Sequence, residues 1–235
     1  MFIFKKKPVD LIAFVEETYS AVNEFSPIVP ASKVIPEWWK NTPAGEFSWD
    51  EMQSINTTKS CVGIINSLRA GFILPLWSEL AIDVSDEFWK YKFSDNMSMA
   101  TVHPNWQAPS FYNDHYFFKL HAPWLFRCSD DIKIAFNTPF YHTTEEGNYV
   151  TPPGVLSPVR GVYPVNIFIF VKKTANRFII KPNTPMYHIT PYTEREVVFK
   201  TEVLTNSEFS KYFKLMGYKN TFVAKGVKRK LFLYK

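Results

Sequence analysis

"ELAIDVSDEFWKYKFSD", residues 79–95, decides the fold class of this chain. Its second half alternates two sets of side chains, Trp89, Tyr91 and Phe93 against Phe88, Lys90 and Lys92. Successive residues of a strand point to opposite faces, so this period of two predicts a strand with one aromatic face. Ser85 and Asp86 interrupt the apolar pattern and favour a turn. The stretch therefore predicts an antiparallel hairpin.

Short apolar or alternating segments of the same kind recur along the chain. They occupy residues 115–127 (with an interruption expected at Pro123), 131–142, 163–173 and 177–192, and then 195–204. The composition agrees, because 22 Phe, 12 Tyr and 7 Trp favour half-buried sheet surfaces. The predicted fold is mainly β, a single-domain antiparallel β-sandwich or barrel over residues 1–235 with roughly eight to ten strands.

Helical patterns are few. Residues 62–68 fit a short helix, and Pro36 begins a helical turn over 36–41. The clearest helix is expected over 206–220, where Asn206 or Ser207 would cap the start and Gly217 would follow the end. Its apolar stripe has helical spacing and consists of Phe209, Tyr212, Phe213 and Met216.

Two segments outside the predicted sheet are candidates for protein contacts. The first is a Pro-rich arm, about 26–43, which contains Trp38 and Trp39. The second is a basic C-terminal tail, about 217–235, which includes Lys228, Arg229 and Lys230. Both ends of the chain are basic, while the remainder is net acidic. Basic ends can contact nucleic acid or another acidic surface, or can simply be solvated termini.

The sequence argues against a membrane protein and against a secreted disulfide scaffold. No apolar run approaches the roughly 20 residues that a membrane span needs. Two cysteines, Cys61 and Cys128, make no disulfide framework, so a reducing compartment is expected.

The stretch "HPNWQAPSFYNDHYFFKLH", residues 103–121, contains three of the five histidines. On a strand, His115 and His121 would share a face but lie about 20 Å apart, too far to bind one ion. Neither H-x-H nor H-x-x-x-H occurs. A metal site would need His103 or His115 to meet His142 or His188 through the fold, with Fe or Zn as the metal.

The same stretch also offers a ligand pocket without a metal. His103, Trp106, Gln107 and His115 could line one pocket at the mouth of a β-scaffold, where loops carry binding groups. The alternative is a packed loop held by Trp106. The sequence contains no G-x-S-x-G motif and no Gly-rich phosphate loop, so no catalytic residue is assigned.

Four segments together resemble a known but uncharacterised family. They are "VIPEWWKNTP" (34–43), "SCVGIINSLRAGFILPLWSEL" (60–80), "HAPWLFRCSDDIKIAFNTPFYH" (121–142) and "PNTPMYHITPY" (182–192). In order and in type they are similar to a family found in tailed bacteriophages, notably contractile-tailed phages of marine bacteria. The resemblance spans about residues 30–235.

The chain departs from that family pattern at several positions. Gly63 and Ile64 replace a Pro-Phe pair, Ala122 replaces an Asn, residues 129–131 replace a Gly-Tyr turn, and residues 187–188 replace an Ala-Gln pair. The shared residues are mainly Pro, Trp, Gly and aliphatic, so they specify a fold and no reaction. The family has no established activity. The resemblance implies a location in the virion or the host cytoplasm.

Two functional interpretations remain open. In the first, the protein is a non-enzymatic virion or assembly component that contacts other phage proteins or its own copies and needs no cofactor. In the second, it is a β-barrel metal-dependent enzyme or a small-ligand binder in the host cytoplasm that uses the histidine-lined pocket. The residues favour the first interpretation and leave enzymatic activity undecided.

Overall fold

The computed structural model describes residues 6–130, 132–142, 147–158 and 161–212. As predicted, the fold is mainly β. The described residues form sixteen strands, more than expected, because many are only two to five residues long: β1 Val9–Glu16, β2 Val29–Pro30, β3 Gly45–Ser48, β4 Gln53–Asn56, β5 Phe72–Pro75, β6 Leu80–Val84, β7 Trp89–Phe93, β8 Ala100–His103, β9 His115–Cys128, β10 Lys133–Asn137, β11 Tyr149–Val150, β12 Gly154–Leu156, β13 Tyr163–Lys172, β14 Arg177–Ile180, β15 Pro185–Tyr192 and β16 Val197–Leu204.

Helices are short throughout the described residues. The α-helices are α1 Val22–Phe25, α2 Glu37–Asn41, α3 Val62–Arg69 and a C-terminal helix described over 206–212. Tight 3-10 turns occupy Glu17–Tyr19, Ala31–Lys33, Thr58–Ser60, Asn105–Gln107, Ser110–Tyr112, Phe140–His142 and Lys173–Ala175. The helix predicted over 62–68 and the helical turn predicted over 36–41 are both confirmed.

Two larger sheets build the body of the molecule. The first has the order β11-β13-β9-β1-β16, with β8 pairing beside β9, and the second has the order β12-β10-β15-β5-β2. Smaller sheets are β14-β6-β7 and the isolated hairpin β3-β4. The hairpin predicted over 79–95 is present as β6-β7, where Leu80 pairs with Phe93 and Val84 pairs with Trp89. Pairing is antiparallel except between β1 and β16, which run parallel.

The hydrophobic core lies between the sheets in a sandwich-like arrangement. Phe118 and Leu120 of β9 and Ile167 and Ile169 of β13 are all fully buried in it. Burying side chains of this size stabilises a fold by about 1.5–3 kcal/mol each. The strands that the structure describes do not close into a barrel, so of the two predicted architectures the sandwich-like one is found.

Two local predictions need correction. Strand β9 continues through Pro123, and its register with β13 shifts there, between Pro164 and Asn166. Pro123 also lies between the parts of β9 that pair with β8 and with β1, so its missing N–H breaks no ladder there. Such a position tolerates proline within a long strand.

The C-terminal helix is capped one residue earlier than predicted. Thr205 is the cap rather than Asn206 or Ser207. The Thr205 N–H donates to the Glu208 carboxylate at 3.1 Å, and the Glu208 N–H donates to the Thr205 hydroxyl at 3.4 Å. This reciprocal pair is a capping box, which satisfies donors that the helix leaves free.

The described part of the helix stripe packs as predicted. Phe209 and Tyr212 lie against a small cluster formed by Phe14, Leu125 and Val162. The other predicted stripe residues, the glycine at 217 and the basic tail over 217–235 lie outside the described residues.

Candidate functional site

His103 ends strand β8 and is tied to the following 3-10 turn. Its Nδ1 shares a hydrogen bond of 2.6 Å with the Gln107 side-chain oxygen. Its ring lies 5.2 Å from the Phe117 ring and 6.1 Å from the Phe168 ring, centre to centre. The other ring nitrogen, Nε2, is buried and has no hydrogen-bond partner in the described part of the chain. His103 therefore joins a strand end to a loop across an aromatic surface.

Trp106 points away from the protein and does not hold this loop in place. Its side chain is 81% exposed. The loop is instead fixed by the contact between His103 and Gln107 and by Tyr112, whose ring stacks on Phe170 at 4.2 Å with an interplanar angle of 1°. The prediction of a loop packed by Trp106 is therefore wrong, because the stacking of Tyr112 on Phe170 holds the loop instead.

His115 is a buried histidine paired with its exposed neighbour. Its Nδ1 lies 2.6 Å from the Asp114 carboxylate, and the edge of its ring meets Tyr112 at 4.9 Å. The hydrogen bond with His115 lowers the pKa of the Asp114 carboxyl below its ordinary value. His115 begins β9 and contributes to local packing and pairing rather than to a cavity.

His142 and His188 form a separate buried pair, with ring centres 6.3 Å apart. His188 Nε2 donates to the Ala70 carbonyl at 2.6 Å. Burial, and then the nearby His188, lower the pKa of His142 to about 4. Within the described residues no group of three or more His, Cys, Asp or Glu side chains is placed to hold a metal ion. The four histidines weighed as metal ligands therefore do not gather into one ligand set.

A large cavity, lined by residues of both main sheets, opens beside the loop that follows β8. Its volume is about 740 Å³. We call it the aromatic cavity, and its lining comes from three segments, 107–112, 150–156 and 164–170, together with Phe117, Phe136, Thr138 and Tyr187. A cavity of this size and composition falls in the range of natural ligand sites.

The aromatic wall of the cavity arises from alternation along β13 and β9. Phe168 and Phe170 alternate with the core residues of β13, so they face the opposite side of the sheet. Phe117 of β9 lies beside both, with ring centres 4.5 Å from Phe170 and 5.4 Å from Phe168. The stacked ring of Tyr112 extends this wall, which offers a flat surface to an apolar or aromatic ligand.

A few neutral polar groups interrupt the apolar lining. The Tyr187 hydroxyl donates to the Pro152 carbonyl at 3.0 Å and accepts from the Phe168 N–H at 3.3 Å. Burial raises the pKa of Tyr187 to about 12, so it stays neutral at physiological pH. The Thr151 hydroxyl is buried and has no hydrogen-bond partner among the described residues. A buried hydroxyl without a partner costs stability, and a ligand group can satisfy it.

A basic rim, formed by Lys119 and His121, borders the cavity on the β9 side. In the sheet register Lys119 lies opposite Phe168, and His121 lies opposite Asn166, and both of these β13 residues line the cavity. His121 Nε2 lies 3.3 Å from the Thr101 hydroxyl. Burial, followed by Lys119 and His103, lowers the pKa of His121. Lys119 therefore supplies the positive charge of the rim at neutral pH.

Of the four pocket residues predicted from sequence, only Gln107 lines the aromatic cavity. His103 packs beside Phe117 without lining the cavity, His115 is buried next to Tyr112, and Trp106 is turned outward. The missed signal is in "YPVNIFIFVKK", residues 163–173, where both strand faces are apolar and only one can face the core. The second apolar face marks the cavity wall.

The isolated hairpin β3-β4, Gly45–Asn56, is a second candidate surface, which we call the acidic hairpin. It carries Glu46, Asp50 and Glu51 and no lysine or arginine. Trp49 at its tip is 78% exposed and packs edge to face with Phe47, at 5.0 Å between ring centres. An exposed tryptophan on an unsupported hairpin suits a contact with a partner.

The predicted contact residues of the Pro-rich arm are anchored only in part. Trp38 donates its ring N–H to the Tyr141 carbonyl at 2.8 Å, and Trp39 meets Trp38 edge to face at 5.5 Å. Trp38 is nevertheless exposed, while Trp39 is half-buried. The other predicted contact residues, Lys228, Arg229 and Lys230, lie outside the described residues.

No family model matches this chain, and no curated protein or solved structure matches it either. Among the described residues, no helix is both long enough and apolar enough to cross a membrane.

Proposed function

We propose that this protein is a non-enzymatic binding protein that holds an apolar group in the aromatic cavity. The observation that supports this most directly is the cavity itself, about 740 Å³ of space beside a stacked aromatic wall. Apolar lining with a few placed polar groups is typical of sites that bind small molecules. The stacked rings favour a flat, aromatic occupant.

The chemistry of the lining favours binding over catalysis. Acid–base and nucleophilic catalysis require groups that exchange protons or attack near neutral pH. The described lining residues include no histidine, cysteine, serine, lysine, arginine or carboxylate. Tyr187 is the most buried ionisable group there, and its pKa of about 12 keeps it protonated. The polar groups present are suited to orienting a ligand.

Two polar side chains would set the orientation of the occupant. Thr151 offers a buried hydroxyl that lacks a partner, and Asn166 offers an amide beside the basic rim. An occupant with one hydrogen-bonding group next to an apolar body would satisfy Thr151 without leaving its own polar atoms unpaired. A negative charge on that occupant would be favoured near Lys119.

The biological context that we propose follows from the sequence resemblance. A binding protein without catalytic groups fits an assembly or virion component of a tailed phage, in the virion or the host cytoplasm. Its partners would be its own copies or other phage proteins, and no cofactor is needed. Nucleic-acid contact through the basic C-terminal tail is a further proposal on residues outside the described part. The histidine-pocket enzyme is less favoured, because His103 and His115 do not line the cavity.

A dye titration tests the proposed function. The probe is 8-anilinonaphthalene-1-sulfonate, whose fluorescence rises in apolar sites and whose sulfonate suits the basic rim. We expect saturable binding at one site per chain. Gly154 lines the cavity, and no heavy atom lies within 4 Å of a Cβ built there, so Gly154→Trp has room for its Cβ and adds a bulky ring to the cavity lining.

The matched control is the same substitution at Gly63, on helix α3 and outside the cavity lining. A Cβ there meets only the Cys61 sulfur at 3.8 Å, an ordinary contact. We expect Gly154→Trp to abolish the saturable site and Gly63→Trp to retain it. Equal dye affinity in wild type and Gly154→Trp would contradict the proposed function.

A further inference from the structure

We propose that the occupant of the aromatic cavity is the acidic hairpin of a second copy of this chain, so that copies assemble head to tail. This inference rests on the proposed function, because it names the partner of the same cavity. It follows from two surfaces on one molecule that are complementary in apolar character and charge.

Among the described residues, no further strand pairs with the acidic hairpin. Strands β3 and β4 pair only with each other, from Gly45 opposite Asn56 to Ser48 opposite Gln53. Seven of the eight strand residues are exposed. A two-stranded hairpin alone in water is marginally stable, and three strands or a packed partner are needed for independent stability. The exposed Trp49 is the natural anchor for such a partner.

The hairpin presents negative charge around that anchor. Asp50 and Glu51 follow Trp49 directly, and Glu46 lies on the preceding strand. Glu51 accepts a hydrogen bond from the Gln53 amide at 2.6 Å. Within the described chain none of the three carboxylates has a lysine or arginine partner within ion-pair distance. The tip is therefore apolar at its end and acidic around it.

The cavity presents the opposite charge at its rim. Strands β8, β9 and β13 contain no aspartate or glutamate. Lys119 has no ion-pair partner in the described part of the chain. Side chains directly opposite each other on antiparallel strands have Cβ atoms about 5 Å apart, so Lys119 lies next to the Phe168 ring that lines the cavity. If the Trp49 indole of a second copy stacks on that wall, the carboxylates of its neighbours Asp50 and Glu51 come close to Lys119.

The geometry of the contact determines the type of assembly. The donor surface is the hairpin over 45–56, and the acceptor surface is the cavity, so the two sides of the contact are different patches. Such a heterologous contact propagates and gives a ring if the rotation closes or a filament if it does not. Charge pairs at the rim increase specificity and the association rate more than affinity. Trp49 is therefore expected to supply most of the binding free energy.

A mixing experiment by sedimentation velocity tests the inference on the full chain. Wild type should associate with increasing concentration. Trp49→Ala keeps the cavity and loses the anchor, and Gly154→Trp keeps the hairpin and loses the cavity. Each variant alone should self-associate at least about 30-fold more weakly than wild type. Mixed in equal amounts, the intact hairpin of one and the intact cavity of the other should give a heterodimer and nothing larger.

Two controls separate this contact from general loss of surface. Phe25→Ala removes another aromatic ring, 73% exposed on α1, and should leave association unchanged. Lys119→Glu should weaken association about tenfold, and adding Glu51→Lys in the same chain should restore it. Lys92→Glu on β7, an exposed lysine outside the cavity lining, should have no such effect.

The outcomes distinguish this inference from the proposed function. A wild-type chain that stays monomeric at every concentration overturns the head-to-tail contact, as does a mixture of the two variants that forms no heterodimer. If association fails in either way while wild type and Trp49→Ala both bind the dye, the cavity remains a binding site with a different occupant. If Gly154→Trp also binds the dye unchanged, the proposed function fails as well.

Discussion

The two faces of strands β9 and β13 both carry large apolar side chains, yet they differ in how they are covered. On one face Phe118, Leu120, Ile167 and Ile169 are sealed in the core. On the other face the phenylalanines of the same strands line an open cavity of about 740 Å³. The second face also carries the polar side chains of Lys119, His121 and Asn166, and it borders open space where the first is covered by the core. The covered face stabilises the fold by burying apolar surface, and we propose that the open face binds a ligand or partner.

The largest effect is expected on the closed face. Ile167 is 0% exposed. Replacing it with alanine should lower the free energy of unfolding by about 2–5 kcal/mol, because the change removes buried methyl groups and leaves a cavity. Urea unfolding followed by circular dichroism measures the loss. A loss below about 1 kcal/mol would show that this face is not tightly packed.

The second-largest effect concerns the protonation of His142, which is buried shortly after the end of β10. His142 has a pKa of about 4 in the folded protein, below the ordinary 6.5. Between these pH values the unfolded chain takes up a proton that the folded chain does not, so stability falls as pH drops from about 7 to 4. This residue should account for about 2–3 kcal/mol of that loss.

The variant His142→Phe should remove this part of the pH dependence. Urea unfolding at pH 7 and pH 4.5, in wild type and variant, measures the difference. An identical loss of stability in both proteins would place the proton uptake elsewhere.

On the open face, binding should change more than stability. Phe168→Ala should lower the free energy of unfolding by only about 1–2 kcal/mol, since one side of this ring faces the cavity rather than the core. It should weaken dye binding at least about tenfold through the loss of stacking. Phe178→Ala, a partly buried ring outside the cavity lining, is the matched control and should leave the dye affinity unchanged.

The smallest effect is expected at Thr151, which is 3% exposed and lines the cavity. Thr151→Val keeps the shape and removes the hydroxyl that lacks a partner. The free energy of unfolding should rise by about 0.5–1 kcal/mol. Thermal unfolding at neutral pH measures the change, and a clear destabilisation would mean that the hydroxyl is satisfied in solution.

Local patterns predicted much of the fold. The hairpin over 79–95, the helix over 62–68 and the alternating strand after residue 131 follow from periodicity and turn chemistry. The parallel pairing of β1 with β16 was not predictable, because it joins residues nearly 190 positions apart and no local rule selects the partner strand. The continuation of β9 through Pro123 was not predictable either, because it depends on the register with β13, which no local pattern shows.

The candidate site was less predictable than the fold. Histidines are versatile ligands, so the sequence predicted a pocket around His103 and His115, yet of the four predicted residues only Gln107 lines the cavity. The alternation of Ile and Phe in residues 163–173 carries the cavity wall, but a strand with two apolar faces reads the same when both are buried. Which face stays open depends on the loops, and loop packing is a tertiary property.

A paired measurement on two neighbouring residues tests the central claim most directly. Ile167→Ala and Phe168→Ala alter adjacent positions of β13 on opposite faces. For each variant, the free energy of unfolding and the dye dissociation constant are measured under conditions where both proteins are folded. We predict that Ile167→Ala loses stability and keeps dye affinity, while Phe168→Ala keeps most of its stability and loses dye affinity. Parallel losses in both variants would contradict the division between a closed core face and an open binding face.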